Sequence, residues 1–183
     1  MTENYVEGAR MDRELFAIYG LAISYPELWD VTVGRKLDRF EGGVIFRSPE
    51  KDILISFAWS LPDVVEEGET PSLEEGMNRT LQEISRARGV KKVNVLEENK
   101  LKVNDHECIL KSVDVTVATG ALLRGTFAQR RGMLAHLYCD KTERYLILYG
   151  VPSDKAEEQT EIFNEMLKSL ACHEKEASKL GES

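Results

Sequence analysis

The chain has 183 residues, 42% of them hydrophobic, which is enough to bury an ordinary core without disulfide bonds. Its 32 acidic and 24 basic residues give a net charge of -8, which disfavours nucleic acid as a partner because the phosphate backbone repels an acidic protein. No apolar run approaches the length of a membrane span, and residues 1–8 lack the basic and apolar regions of a secretory signal, so we expect a cytoplasmic protein with no membrane partner.

One domain is expected over residues 11–172. Residues 1–10 are polar and aperiodic, and residues 173–183 are charged, so both ends are predicted to be flexible arms. The three cysteines are an odd number in a chain of this size, which indicates free thiols in a reducing compartment.

The first predicted elements are strands that lead to a tryptophan. Phe16 and Ile18 alternate on one parity, and the apolar residues of 21–25 alternate on the other. Gly20 lies where the phase changes, which indicates a bulge or a tight turn. A proline turn then precedes Trp29, which we predict to anchor the fold by packing against the sheet or a helix.

A hairpin and a helix follow. Residues 44–46 and the alternating run 53–59 predict two antiparallel strands joined by a turn. Residues 72–88 predict a helix, because Ser72 and Glu75 form a capping box and apolar residues recur at helical spacing before a glycine ends the pattern.

A long β region comes next, and a second helix ends the pattern. We predict strands at 93–95, 101–103, 108–117, 122–130, 133–139 and 145–151, with turns at 97–100, 104–105, 119–120, 131–132 and 140–141. Connections this short favour antiparallel neighbours. The last helix is predicted to begin at Ser153 or Asp154 and to place one apolar face inward, formed by Phe163, Met166, Leu167 and Leu170.

The element order is therefore strands, a helix, a run of strands and a helix. An antiparallel sheet with two apolar faces must cover both of them, and one helix on each side does so. The sequence predicts an α+β fold, a three-layer α/β/α sandwich around a central, largely antiparallel sheet.

This order, together with the stretch Tyr19-Gly20-Leu-Ala-Ile-Ser-Tyr-Pro26 and the following Trp29, resembles the PsbP-like superfamily. That superfamily includes the extrinsic PsbP proteins of photosystem II and the Mog proteins that bind the Ran GTPase. The resemblance covers residues 14–171 and implies a noncatalytic scaffold that acts through protein surfaces and occasional metal sites. The acidic GTPase-binding positions of the Mog proteins have no residue-by-residue match here, so the function has to be argued from the chain's own sites.

Each cysteine has a histidine nearby in the sequence: His106 with Cys108, His136 with Cys139, and Cys172 with His173. Such pairs offer the nitrogen and sulfur ligands that zinc prefers. However, His136 and Cys139 should project to opposite faces of their strand, and Cys172 and His173 should lie at the frayed end of the last helix. We therefore expect isolated buried thiols, with no metal and no cofactor, and keep a metal site as the alternative.

No catalytic motif is present. The chain has no Gly-x-Ser-x-Gly elbow, and residues 120–125 contain two glycines but lack the Lys-Ser/Thr pair of a phosphate-binding loop. A Cys–His dyad would need Cys108 or Cys139 as the nucleophile, and the phase of Cys139 along its strand predicts a core position instead. We therefore expect a protein that is not an enzyme.

Two charged segments are candidates for partner binding. Four acidic residues lie in a predicted loop from 62 to 71, which we expect to be mobile and able to dock a basic partner: Asp63, Glu66, Glu67 and Glu69. Four basic residues lie at and just after the C-terminal end of the first helix, whose dipole already favours cations there: Arg86, Arg88, Lys91 and Lys92. Together with Arg35, Lys36 and Arg39 they would form a basic rim if the two groups met in space.

These observations favour a noncatalytic protein-interaction or small-ligand-binding module whose protein partner is unknown. One alternative is an enzyme or metal-binding protein with a pocket between sheet and helix, where Cys108, His106, His136 or Cys139 would converge. A second alternative is a structural homo-oligomer that pairs through an uncovered sheet edge.

Overall fold

Nine strands and two helices make up the described part of the chain. The computed structural model describes residues 12–62, 72–119 and 126–173. The strands are β1 (Arg13–Ile18), β2 (Leu21–Pro26), β3 (Asp30–Val33), β4 (Gly42–Arg47), β5 (Leu54–Ser60), β6 (Val90–Val103), β7 (His106–Thr119), β8 (Thr126–Cys139) and β9 (Arg144–Ser153). The helices are α1 (Leu73–Arg86) and α2 (Ala156–Ser169). No helix in these ranges is long and apolar enough to cross a membrane.

A seven-stranded sheet forms the middle layer, with the strand order β3-β4-β5-β9-β8-β7-β6 and antiparallel pairing throughout. One face packs against α2 and the β1–β2 hairpin, in a core that includes Phe46 and Phe163. The other face is covered by α1, where Met77 packs with Ile109 and Leu134. Because one helix lies on each face, the predicted three-layer α/β/α architecture is confirmed.

The first hairpin is a separate two-stranded sheet beside α2, which the sequence pattern did not distinguish from the main sheet. Tyr19 and Gly20 connect β1 to β2 with φ angles of 50° and 77°. Positive φ at both central positions is typical of the two-residue turn whose twist suits a hairpin, and glycine adopts it without steric cost. The tight turn predicted at Gly20 is therefore confirmed. Trp29 is 9% exposed and belongs to the core, as predicted.

Both helices begin and pack for reasons that the sequence contains. The side chain of Ser72 accepts a hydrogen bond from the backbone N–H of Glu75 at 3.3 Å, which satisfies one open donor at the start of α1. The predicted inward residues of α2, Phe163, Met166 and Leu167, are all buried. However, α2 begins at Ala156, and not at Ser153 or Asp154 as predicted, because β9 continues through Ser153.

Two predicted turns are continuous strand. β6 runs through residues 97–100, where its position at the sheet edge leaves it exposed, so charged residues are tolerated and apolar alternation is lost. β8 runs through Arg131 and Gly132, and a register shift against β9 replaces the predicted turn. A Cβ atom at Gly132 would lie 2.6 Å from the carbonyl oxygen of Gly150. This glycine is therefore needed for close approach between strands.

Several strands begin or end at the same end of the sheet. β8 ends there at Cys139, β9 begins at Arg144, and β7 begins at His106. The chain that follows α2 also reaches this end, since Ala171 forms an isolated antiparallel bridge with Ala22 of β2. We refer to it as the Cys139 end of the sheet.

Candidate functional site

Two cysteines and two histidines meet at the Cys139 end of the sheet. This Cys–His cluster consists of His106, Cys139, Cys172 and His173. The ligand atoms of His106, Cys172 and His173 lie within 4.8 Å of one another, and so do those of His106, Cys139 and Asp140. Nε2 of His106 is 3.0 Å from Sγ of Cys172, and the His106 and His173 rings meet edge-on at 5.7 Å between centroids. The sequence contains three pairs of neighbouring Cys and His residues. In the fold, His106 lies beside Cys172 and Cys139, which belong to the other two pairs.

The chain after α2 is fixed in place, which brings Cys172 to the sheet. Ala171 and Ala22 exchange two backbone hydrogen bonds of 2.8 and 2.9 Å. The side chain of Asn104, in the turn between β6 and β7, donates to the carbonyl oxygen of Leu170 at 2.7 Å. The prediction that Cys172 lies at a frayed helix end is therefore wrong, and so is the argument against a metal site that rested on it.

The thiols in this region differ in acidity. A hydrogen bond from Cys172 is the largest of the effects that lower the pKa of Cys139 to about 5, and it outweighs the opposing effect of burial. Thr142 and the charge of His106 act in the same direction as Cys172. Cys108 lies outside the cluster, and burial raises its pKa to about 12. The pKa of Cys139 therefore lies below that of an ordinary thiol. Cys108 is a neutral core residue, as the sequence predicted for isolated thiols.

An open cleft of about 610 Å³ adjoins the cluster. We call it the cationic cleft, and its lining residues are Tyr19, Gly20, Arg39, Lys141, Thr142, Arg144 and His173. Arg144 is only 2% exposed. Its terminal nitrogens donate to the carbonyl oxygens of Arg39 and Tyr19 at 3.1 and 3.2 Å, whereas its buried Nε has no hydrogen-bond partner among the described residues. Burial lowers the pKa of Arg144, but a guanidinium keeps its charge at any physiological pH.

His136 lies on the other face of the sheet from Cys139, as their spacing predicted. Its Nε2 is 3.0 Å from the hydroxyl oxygen of Thr80 in α1. Burial lowers the pKa of His136 to about 4, and the nearby charge of Lys111 acts in the same direction. Of the four residues that the enzyme or metal-binding alternative would bring into one pocket, the fold brings together His106 and Cys139 and leaves His136 and Cys108 apart.

The charged segments occupy separate places. The acidic candidates Asp63, Glu66, Glu67 and Glu69 lie outside the described residues. The basic candidates are all exposed where α1 ends and β6 begins, and we call them the basic patch: Arg86, Arg88, Lys91 and Lys92. The loop with Arg35, Lys36 and Arg39 follows β3, at the other edge and the opposite end of the sheet. Six strand spacings, about 29 Å, separate the two edges, so the joint basic rim does not form.

Sequence reasoning did not single out Arg144 or Lys141, and it assigned Arg39 to a basic rim with the residues at the end of α1. Arg144 begins β9 in the same phase as the buried Leu146 and Leu148. A charged residue in the inward phase of a strand is rarely buried without a special reason, so this was a signal that the sequence contained. Lys141 and Arg39 are exposed residues of loops, where no periodic pattern shows which side chains line the same cleft.

Comparison with known proteins identifies the fold. Neither a protein-family model nor a curated protein matches the sequence. The solution structure of cyanobacterial PsbP (CyanoP) from Synechocystis sp. PCC 6803 matches with a TM-score of 0.61 over 94% of this chain and 98% of that chain, at 14% sequence identity. The crystal structure of the Saccharomyces cerevisiae Ran-binding protein Mog1p matches with a TM-score of 0.47 over 94% of this chain and 92% of that chain, also at 14% identity. The PsbP-like fold that the sequence predicted is therefore confirmed.

Proposed function

We propose that this protein is a noncatalytic binding module whose cationic cleft holds a small anionic ligand. The observation that carries this proposal is Arg144, which lines the cleft, is 2% exposed and has no hydrogen-bond partner for its Nε among the described residues. A buried donor that lacks an acceptor costs about 1 to 3 kcal/mol, and more when it is charged. A ligand oxygen that reached this buried Nε from the cleft would remove that cost.

The lining of the cleft selects the charge of the ligand. Arg39, Lys141 and Arg144 contribute three cationic groups, and no carboxylate is among the described lining residues. This local positive charge occurs in a protein with a net charge of -8. Guanidinium groups bind the paired oxygens of carboxylates and phosphates in a bidentate manner. The cleft volume of about 610 Å³ suits a small molecule, since ligand sites usually occupy roughly 300 to 1,000 Å³.

The cleft supports binding rather than a reaction. Nucleophilic catalysis needs an activated nucleophile within reach of the substrate. Cys139 has a lowered pKa, but it is fully buried and does not line the cleft, and the buried Cys172 does not line it either. The cationic groups that do line it hold charge and donate hydrogen bonds.

The experiment is calorimetric titration of the full chain with inorganic phosphate, pyrophosphate and citrate at low ionic strength. We expect at least one of them to bind with a Kd below about 1 mM, and salt to weaken the binding. Arg39→Gln and Lys141→Gln alter exposed side chains, so each should weaken binding about tenfold without unfolding the protein. Arg86→Gln and Lys91→Gln are the matched controls, because they remove the same charge at the opposite corner of the sheet. Equal binding by all four variants, or no binding by the parent, would overturn the proposal.

A second candidate function is docking of an acidic protein on the basic patch. The observation that favours it is Phe127, which is 57% exposed at the start of β8. Phe127 pairs with Ala118, next to the Val90–Val117 pair that begins β6, so an exposed aromatic ring lies at the same end of the sheet as the patch. Aromatic and cationic side chains together are typical of protein interfaces.

Polyglutamate is a suitable probe for this surface. Binding should fall when the four residues of the basic patch are replaced by Ser, and also in Phe127→Ser, which leaves the charge unchanged. A control variant removes four exposed cations elsewhere: Arg35, Lys36, Lys51 and Lys168. If the patch variant and the control lost the same affinity for polyglutamate, net charge alone would explain the binding, and this candidate would be wrong.

Four further features stay predictions. The acidic residues Asp63, Glu66, Glu67 and Glu69 are proposed to bind a basic partner, so Ser at all four positions should weaken polylysine binding and leave stability nearly unchanged. The single domain over 11–172 should unfold in one cooperative transition. A homo-oligomer would have a native mass that is a multiple of the mass of one chain. A cytoplasmic location is tested by imaging a tagged chain in its native cell.

A further inference from the structure

The Cys–His cluster has the donor set of a metal site. We propose that His106, Cys139, Cys172 and His173 bind one zinc ion. Two thiols and two imidazoles are a ligand combination that selects tetrahedral zinc over the hard cations magnesium and calcium. The proposal concerns the cluster and does not depend on whether an anion occupies the cationic cleft.

The spacing of the donors is close to what zinc requires. Zinc binds sulfur at about 2.3 Å and imidazole nitrogen at about 2.0 Å, so the ligand atoms of a tetrahedral site lie about 3.3 to 3.8 Å apart. In the cluster, His106, Cys172 and His173 offer ligand atoms within 4.8 Å of one another, and Cys139 is within the same distance of His106. Cys139 and Cys172 also share a hydrogen bond, which joins the two groups. A four-ligand shell requires Cys139 and His173, which belong to different groups of close ligand atoms, to approach the same ion.

The surroundings of the two histidines fit metal ligation. Nε2 of His106 faces Sγ of Cys172 at 3.0 Å, and its Nδ1 is 3.9 Å from the carboxylate of Asp140. Ligating histidines usually donate a hydrogen bond from the second ring nitrogen to a carboxylate, and Asp140 lies on that side of the ring but beyond hydrogen-bond distance. Nε2 of His173 is 2.9 Å from the amine of Lys141, and its Nδ1 is buried. Zinc binding through Nδ1 would place the ring proton on Nε2, so the amine of Lys141, which can only donate, would have to turn away from the ring.

Burial and connectivity indicate a structural site. Cys139 and Cys172 are 0% and 2% exposed, which excludes water from the sulfur side. The four ligands come from the start of β7, the end of β8 and the segment after α2. One ion would therefore join the segment after α2 to the middle of the sheet, close to the Ala22–Ala171 bridge that already holds this segment. Two thiolates would balance the charge of the dication, so that the site is neutral.

The test uses the full chain, purified under reducing conditions and stripped with a chelator. Titration with Zn²⁺ against a chromophoric chelator should give one ion per chain with a Kd in the nanomolar range or below, and the melting temperature should rise because zinc binds the folded state. Co²⁺ should give the strong visible bands of a tetrahedral ion and a near-ultraviolet thiolate charge-transfer band. Binding weaker than micromolar, or an octahedral cobalt spectrum without charge transfer, would overturn the proposal.

Matched variants assign the ligands. Cys172→Ala and His173→Gln should each lower zinc affinity at least a hundredfold, and Cys172→Ala should reduce the charge-transfer band. The chain offers one cysteine and one histidine outside the cluster as controls, so Cys108→Ala and His136→Gln should keep both the affinity and the spectrum. Because a ligand variant could also fail to fold, each is checked by circular dichroism, and a folded variant that binds zinc like the parent would overturn the assignment. A Cys139–Cys172 disulfide that persists under reducing conditions, seen as a mass loss of two hydrogens, would also overturn it.

Discussion

Ala171 and Ala22 form an antiparallel bridge in which each backbone N–H donates to the other residue's carbonyl, at 2.8 and 2.9 Å. The two residues are far apart in the sequence, and both side chains are fully buried. This bridge attaches the end of α2 to the first hairpin and places Cys172 and His173 against the sheet.

Removing one of the two bridging donors should loosen this end of the protein. Ala171→Pro deletes the N–H that donates to Ala22 and leaves a buried carbonyl without a partner, so we expect a loss of about 1 to 3 kcal/mol in the free energy of unfolding. Urea denaturation measures the loss, and hydrogen exchange should show faster exchange at Ala22 and its neighbours. If Ala171→Pro unfolded like the parent, the bridge would contribute nothing to stability. Ala171→Gly is the control, since it keeps the donor.

Trp29 should stabilise the fold through the apolar surface that it buries. It is 9% exposed and belongs to the core between the first hairpin and the sheet, so Trp29→Ala removes a large side chain and leaves a cavity. We expect a loss of about 3 to 5 kcal/mol and a clear fall in melting temperature. Leu28→Ala is the adjacent control, because Leu28 is 80% exposed and should change stability very little. Similar melting of the two variants would refute the anchoring role.

Gly42 should tolerate no side chain. A Cβ atom there would lie 2.3 to 2.8 Å from three atoms of the Trp59 ring, whose Nε1 donates to the carbonyl of Asp38 at 2.9 Å and so holds the ring in place. We expect Gly42→Ala to cost about 1 to 3 kcal/mol through overpacking. At Gly43 the same added atom would meet its neighbours at 3.6 and 3.8 Å, so Gly43→Ala is the control. The prediction fails if Gly42→Ala is as stable as Gly43→Ala.

The local parts of this fold were predictable because short-range physics decides them. Alternation marked β5, and the Ser72 cap marked the start of α1, since both signals come from residues that are close in sequence. The prediction divided the edge strand β6 at residues 97–100, where the structure has continuous strand. An exposed strand need not alternate apolar and polar residues, so the pattern there resembled a turn. The prediction of a turn at Gly132 was wrong, because glycine also occurs where two strands approach each other closely, as β8 and β9 do here.

The candidate site was less predictable than the fold. Its four ligand residues were all visible as Cys–His neighbours, and the opposite faces of His136 and Cys139 were inferred correctly. The combination of His106 with Cys172 depends on the Ala22–Ala171 bridge, which is a contact between distant segments. Hydrophobic periodicity predicts local structure and does not predict contacts between distant segments. The cationic cleft depends in the same way on loops that meet only after folding.

His136 should make the stability of the protein depend on pH. The pKa of His136 is lowered from 6.5 to about 4 in the folded protein, chiefly because the ring is buried under α1 and also because Lys111 is nearby. Above pH 6.5 the ring is neutral in both the folded and the unfolded chain, so its full contribution is present. As the pH falls from 6.5 to about 4, the unfolded chain takes up a proton that the folded protein does not, and stability is lost. The loss from this group is on the order of 3 kcal/mol.

His136→Gln removes the titration and keeps a polar group near Thr80. The free energy of unfolding, measured from urea curves, should therefore fall less steeply between these pH values in the variant than in the parent. Carboxylates titrate alike in both proteins and cancel in the comparison. Parallel pH curves for the two proteins would show that His136 is protonated as readily in the folded protein as in the unfolded chain.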